Sequence, residues 1–236
     1  MKFAIIAAGE GSRLASEGVN VCKPLVRCGG ETLIGRLCRI FAEDGAEEIV
    51  IVTRPEVASA MEGARLRAEG TRVKVIARLT PSSLHSFGVV AQLLEGEAFC
   101  LTTVDTVFRE EEFASYIREF RNLGEEWDGL WAVTPFIDDE KPLYVEALPD
   151  GEIVSFSDVK GGAYLVSGGI YCMKPSCLPV LRECLEGGVS RMRNFQRRLI
   201  ERGRRLKAYE FRKIVDVDHA RDIEKAEEFL AQGGGE

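Results

Sequence analysis

The chain has 236 residues, 45% hydrophobic and 29% charged, a balance that fills a core and excludes disordered, collagen-like and coiled-coil classes. Its formal net charge of −7 argues against a nucleic-acid partner, because neutralising phosphates needs a positive field over much of the surface. Apolar runs such as Phe3 to Ala8 and Ile49 to Val52 fall far short of the roughly 20 residues of a membrane helix, so no membrane partner is expected. The N-terminus enters a strand-like run with no leader-type apolar region and cleavage site, and the chain reads as cytoplasmic. Seven cysteines at irregular spacing, none in CxxC, and only two histidines speak against structural zinc or a disulfide framework; the thiols read as reduced and buried.

In chain order, Lys2 to Ala8 reads as a buried strand, followed by a glycine loop and a long stretch to Gly30. Leu33, Ile34, Leu37, Ile40 and Phe41 then recur at helical spacing and stop before Gly45, and Glu47 to Thr53 is the second strand. Pro55 suits the first turn of a helix with Val57, Met61 and Ala64 on one face. Arg72 to Leu79 is a third strand, Leu84, Phe87, Ala91 and Leu94 mark a helix, Ala98 to Asp105 is a strand, and Phe113, Ile117 and Phe120 stripe the next helix. Beyond it the pattern changes. Gly129 to Phe136 and Tyr144 to Leu148 alternate like strands, Pro149-Asp150-Gly151 writes a turn, and Glu152 to Phe156 returns as a hairpin partner. Ala163 to Met173 is a strand, two helical segments cover roughly 175 to 203, a last strand reaches Asp218, and a helix runs from about His219 to Ala231. The βαβα rhythm predicts an α/β fold with a mostly parallel sheet flanked by helices and a mixed, hairpin-bearing second half.

Ala7-Ala8-Gly9-Glu10-Gly11-Ser12-Arg13-Leu14 follows the first strand directly. Its glycines let backbone amides approach an anion at the carboxyl edge of the sheet, although a glycine turn joining strand to helix would read the same way. A dinucleotide fingerprint would need a third glycine where Leu14 stands and an acid after the second strand where Thr53-Arg54 stands; no GK[ST] makes a P-loop either. Arg13 adds a fork of donors, and Lys23-Pro24-Leu25 adds a cation stiffened by proline.

This combination resembles the nucleotidyltransferase family that joins a nucleoside triphosphate to a sugar 1-phosphate or similar phosphorylated alcohol, whose motif AAGxGxRL followed by KPL is matched at residues 7–14 and 23–25. The resemblance continues through the stretch from Gly29 to Thr53, Asp105 at a strand end, Ser167-Gly168-Gly169-Ile170-Tyr171 and the closing run from Val215, so it covers almost the whole chain. It implies a Rossmann-like GT-A-type fold in one domain over 1–236, with a nucleotide-binding half over about 1–125 and an acceptor-binding half over about 126–236. It also implies Mg²⁺-dependent in-line attack of an acceptor phosphate on the α-phosphorus with release of pyrophosphate, in which cations and amides offset the crowded negative charge.

Carried onto this sequence, the resemblance gives Arg13 and Lys23 the catalytic role, and Ala8, Gly9, Gly11, Ser12, Arg13, Ser82, Ser83 and Thr103 the nucleotide. Asp105 is the expected metal ligand, joined by Asp218 or Asp216, with the other left as structure; Asp218 would suit the N-cap of the final helix. Lys160, Gly168 and Gly169 fall to the acceptor, although a solvated lysine and a glycine bulge read equally simply. Thr80-Pro81-Ser82-Ser83-Leu84 replaces the Leu-Gly-Thr-Ala of sugar enzymes and looks more like the phosphocholine-type cytidylyltransferases, which makes CTP or UTP the expected nucleotide. Seven arginines between Arg191 and Arg205 read as a solvated face or a subunit contact in a homo-oligomer. A nucleotide-binding regulatory protein without turnover is the alternative of another class.

Overall fold

The first strand is apolar on both faces because helices cover it on both sides. The structure, a computed structural model, describes residues 1–62, 68, 70–138 and 140–232; Ala64 lies outside them. Strand β1 (Lys2–Ala7) runs into a short helix α1 (Ser12–Ser16), and the stretch to Gly30 contains a small ribbon, β2 (Arg27–Cys28) with β3 (Glu31–Thr32). There follow α2 (Leu33–Glu43), β4 (Glu48–Thr53), α3 (Pro55–Glu62), β5 (Arg72–Ala77), α4 (Ser83–Ala91), β6 (Phe99–Thr103), β7 (Thr106–Val107) and α5 (Glu110–Arg121). The second half holds β8 (Gly129–Thr134), β9 (Tyr144–Ala147), β10 (Ile153–Ser157), β11 (Leu165–Met173), α6 (Leu178–Glu186), α7 (Met192–Glu201), β12 (Leu206–Glu210), β13 (Val215–Asp216) and α8 (Ala220–Ala231).

The main sheet is ordered β10-β9-β11-β6-β1-β4-β5, with β8 beside β11 and β12 beside β8. β6, β1, β4 and β5 are parallel, whereas β11 meets β6, β8 and β9 antiparallel. The expected mostly parallel α/β architecture is therefore present, with its mixed part in the second half. Alternation in β1 sorts the core: Phe3, Ile5 and Ala7 pack with α2, α5 and α8, while Ala4 and Ile6 pack with α4, α6 and α7. At Pro149-Asp150-Gly151 the turn is as predicted, with Gly151 at φ 89° and the Glu152 amide donating to Asp150 Oδ1 at 3.0 Å.

Two expectations are corrected. The strand predicted to reach Asp218 is two pieces, β12 in the main sheet and β13 paired with β7, because the chain must leave the β8 edge to bring Asp218 over β6. All seven cysteines are free thiols, but Cys22 is exposed, since it lies on the cleft loop before Lys23 and not on a core-facing element. Among the described residues no helix is long and apolar enough to cross a membrane.

Candidate active site

β1 and β6 pair in register up to Ile6 and Thr103, so the loops that leave them, Ala8 to Gly11 and Val104-Asp105, emerge side by side at the carboxyl edge of the sheet. Gly11 stands at φ 61°, and a Cβ there would come within 3.1 Å of Lys23 Cβ; glycine is required by conformation and by this close approach. A Cβ on Gly9 would meet nothing within 4 Å, which leaves open cavity above that residue. Leu14, at the position of a fingerprint's third glycine, is 1% exposed and anchors α1 in the core.

Lys23 closes the site from the other side. Its Nζ donates to Asp105 Oδ2 at 2.6 Å and to Asp218 Oδ1 at 2.5 Å, and Arg13 donates to Asp218 Oδ2 at 2.7 Å. Burial opposes the Lys23 charge, but the two carboxylates outweigh it and hold its pKa above the ordinary lysine value. Burial likewise pushes the Asp105 carboxyl up, and Lys23 with the Thr103 hydroxyl more than reverses this, leaving it below the usual range. The Val217 amide donates to the Asp105 carbonyl at 3.0 Å, which ties the closing segment to the β6 end. Asp218 is not the cap of α8. That position belongs to His219, and the Asp222 carboxylate takes the amides of Asp218 and His219 at 3.2 and 2.8 Å, freeing the Asp218 carboxylate for the cleft.

Two cavities meet at these side chains. The first, about 510 Å³, is lined by Ala8, Gly9, Gly11, Ser12, Lys23, Thr80, Ser82 and Ser83. The second, about 490 Å³, is lined by Lys141, Ser167, Gly169, Arg191, Gln196 and Asp216. Arg13, Ser83, Thr103, Asp105 and Asp218 line both. Asp216 is exposed and lines the second cavity without reaching the first. The serines do structural work as well: Ser82 Oγ caps α4 through the His85 amide and accepts from the Arg191 amide at 3.4 Å, and Ser83 Oγ accepts from the Met192 amide at 3.1 Å.

Lys160 is exposed in the turn after β10 and does not line either cavity. Its neighbour Asp158 is held by Arg193 at 2.5 Å and Arg197 at 2.6 Å, which fixes the turn against α7. Gly168 and Gly169 form a bulge, where β11 shifts register against β8. A Cβ on Gly168 would meet Ile214 Cδ1 at 2.3 Å, and Gly169, at φ 77°, would press on Thr106 and Thr103 hydroxyls at 2.9 and 3.0 Å. Only Gly169 lines the second cavity; Gly168 lines a smaller recess beside Ser167 and Asp216.

The arginine-rich segment resolves into distinct roles. Arg198, Arg202, Arg204 and Arg205 pair with Glu201, Glu183, Asp128 and Glu152 on the surface. Arg191, the one non-glycine residue at positive φ (69°) among the described residues, instead stands on the cleft wall. Sequence reasoning missed it, because the cluster carries no local mark of which arginine turns inward.

Among the described residues no three His, Cys, Asp or Glu side chains converge as a metal cage. The two carboxylates gathered on Lys23 suit a hard cation that keeps waters and takes further oxygens from a phosphate substrate. A glycine cradle at the switch of a parallel sheet, paired carboxylates and flanking cations define a nucleotidyltransferase. The chain belongs to the family of the MobA-like NTP transferase domain, whose model matches residues 3–205. The fold is shared with the inositol-1-phosphate CTP transferase from T. maritima, at 19% identity, TM-score 0.78 and coverage of 98% of this chain and 96% of that one. It is also shared with a candidate glucose-1-phosphate thymidylyltransferase from Bacillus anthracis solved with sucrose, at 18% identity, TM-score 0.82 and coverage of 99% and 96%. No curated protein matches the sequence.

Proposed function

We propose that this nucleotidyltransferase couples a nucleoside triphosphate to a small phosphorylated acceptor in a Mg²⁺-dependent reaction that releases pyrophosphate. The observation that carries the reading is the junction: two cavities of similar size share Arg13, Asp105 and Asp218, so a nucleotide in one and an acceptor in the other would bring their phosphates together there.

In this reading the Gly9 to Gly11 backbone and Ser12 receive the triphosphate, and Lys23 and Arg13 offset its charge. Asp105 and Asp218 would hold the divalent ion, which when bound neutralises phosphate charge as it develops. Asp216, on the acceptor side, is placed to order water or an acceptor hydroxyl. The acceptor's phosphate meets Arg191, with Lys141 and Arg193 behind it, in place of the distant Lys160. The nucleophile is already an anion, so no general base is needed and the scarcity of histidine is no obstacle. Thr80, Ser82 and Ser83 line the first cavity and would stand beside the base, for which the proposed fit is a pyrimidine.

Among the described residues, Tyr171 is the one aromatic lining the second cavity; it is 4% exposed and packs against Trp131 at 5.3 Å. A quaternary ammonium would find no aromatic cage there, which favours a phosphorylated polyol over phosphocholine. The test is pyrophosphate release over a grid of four nucleoside triphosphates and a panel of phosphorylated sugars, polyols and amino alcohols. Release that depends on one nucleotide and one phosphorylated acceptor supports the reading; release in no pairing refutes it.

A further inference from the structure

The two carboxylates suited to a divalent ion are already bridged by a cation of the chain itself. Lys23 Nζ reaches both Asp105 and Asp218, and its side chain is only 11% exposed. An ammonium and a divalent ion need the same inward oxygens and repel each other, so they compete for this position. The Lys23 stem is fixed at its base by Gly11 and by the Pro24 turn that follows, while the bonds beyond its Cβ are those of a flexible four-carbon stem. Lys23 also lines the first cavity, so open space for the ammonium adjoins the carboxylates it now bridges. Arg13 differs: among the described residues its ion pair is with Asp218 and not Asp105, and it is half exposed.

We propose that Lys23 is an internal counter-cation that a divalent ion must displace, and that nucleotide phosphates receive the displaced ammonium, so that this one side chain makes metal and nucleotide binding cooperative. The identity of the two ligands rests on the nucleotidyl-transfer reading; the competition itself rests on the Lys23 bridge. Metal binding without nucleotide leaves a partly buried ammonium with no anionic partner. A triphosphate supplies that partner, and linkage makes the gain reciprocal.

The experiment titrates the full chain with Mn²⁺, following free Mn²⁺ by electron paramagnetic resonance, with and without a non-hydrolysable α,β-methylene CTP analogue. In the wild-type protein the analogue tightens Mn²⁺ binding by at least about tenfold. Lys23→Met tightens Mn²⁺ binding about tenfold in the nucleotide-free protein but not in the analogue complex, so the coupling falls by about that factor, to what direct contact of phosphate oxygens with the ion supplies. Arg13→Met, which removes a charge but not the bridge, changes nucleotide-free binding by less than about threefold. The proposal is overturned if Lys23→Met binds Mn²⁺ no more tightly, tightens it equally in both states, or is matched by Arg13→Met. Circular dichroism checks folding, and Lys23→Gln, with a stem of similar reach and no charge, replaces Lys23→Met if the latter does not fold. If the analogue fails to bind the wild type, the nucleotidyl-transfer reading falls, and the nucleotide-free comparison alone decides the displacement.

Discussion

The first cavity, proposed for the nucleotide, presents mostly backbone and small side chains, Gly9, Gly11, Ser12 and Thr80, whereas the second, proposed for the acceptor, presents long cations, Lys141, Arg191 and Arg193, over a polar floor. That floor is built: Gln196, 2% exposed, accepts from Trp131 Nε1 and Ser167 Oγ at 3.0 Å each and donates to the Tyr171 hydroxyl at 3.3 Å. The difference shows how one fold separates a constant task from a variable one. In the proposed reaction, amides along a strand-to-loop transition would receive the triphosphate, while side chains from α7 and β11 would select what arrives opposite it.

The comparison predicts the largest losses where the two sides meet. Asp105→Asn and Asp218→Asn should each lower turnover by about 100- to 1000-fold, as when a preorganised charge is removed at the reacting phosphate, whereas Asp216→Asn should cost less than about tenfold and act mainly through the acceptor KM. Steady-state pyrophosphate release checks this, and equal losses at all three positions would dissolve the distinction between junction and acceptor side. Arg13→Ala and Lys23→Ala should each lower kcat/KM by about 10- to 100-fold in folded protein.

The acceptor side is broken more selectively. Arg191→Ala should raise the acceptor KM about tenfold and leave the nucleotide KM in place, as expected for the loss of one charge-assisted contact. Lys160→Ala should change neither, and a reversal of these two results would return the acceptor phosphate to the β10–β11 turn.

The smallest expected effect lies outside the cleft and calibrates the folding assay. Burial, together with Glu43 and against Arg121, pushes the Asp44 carboxyl up to about 6. The native state then binds more protons than the unfolded chain between about pH 4 and 6, so stability falls as pH rises through that window. Asp44→Asn should therefore stabilise the protein by about 1 kcal/mol at pH 8, a two-unit shift discounted for a partly exposed group, and by much less at pH 4. Urea melts at both values check it; a gain at pH 4 equal to that at pH 8 would contradict it.

Much of this was legible in the sequence, for reasons that differ by residue. Gly11, Arg13 and Lys23 lie in contiguous motifs whose chemistry is local, and Asp105 is placed by the end of a clean apolar strand. The Lys23 bridge was not legible, since it joins residues 82 and 195 positions apart. Lys160 misled because Asp158, two positions earlier, is claimed by Arg193 and Arg197 on another element. Arg191 was hidden by its neighbours, and its inward turn depends on a left-handed backbone held by a serine 109 positions away. The split of the last strand escaped because Phe211 and Ile214, both buried, continue the apolar rhythm through a segment that leaves the sheet.

The central claim is that nucleotide and acceptor meet over Asp105 and Asp218, and single-turnover pyrophosphate release with the best nucleotide and acceptor pairing tests it most directly. The account predicts release only when nucleotide, phosphorylated acceptor and a divalent ion are all present, with Asp105→Asn abolishing the burst in a protein that still binds the nucleotide. Release of pyrophosphate at the wild-type rate from Asp105→Asn, or at an equal rate with and without the acceptor, would contradict it.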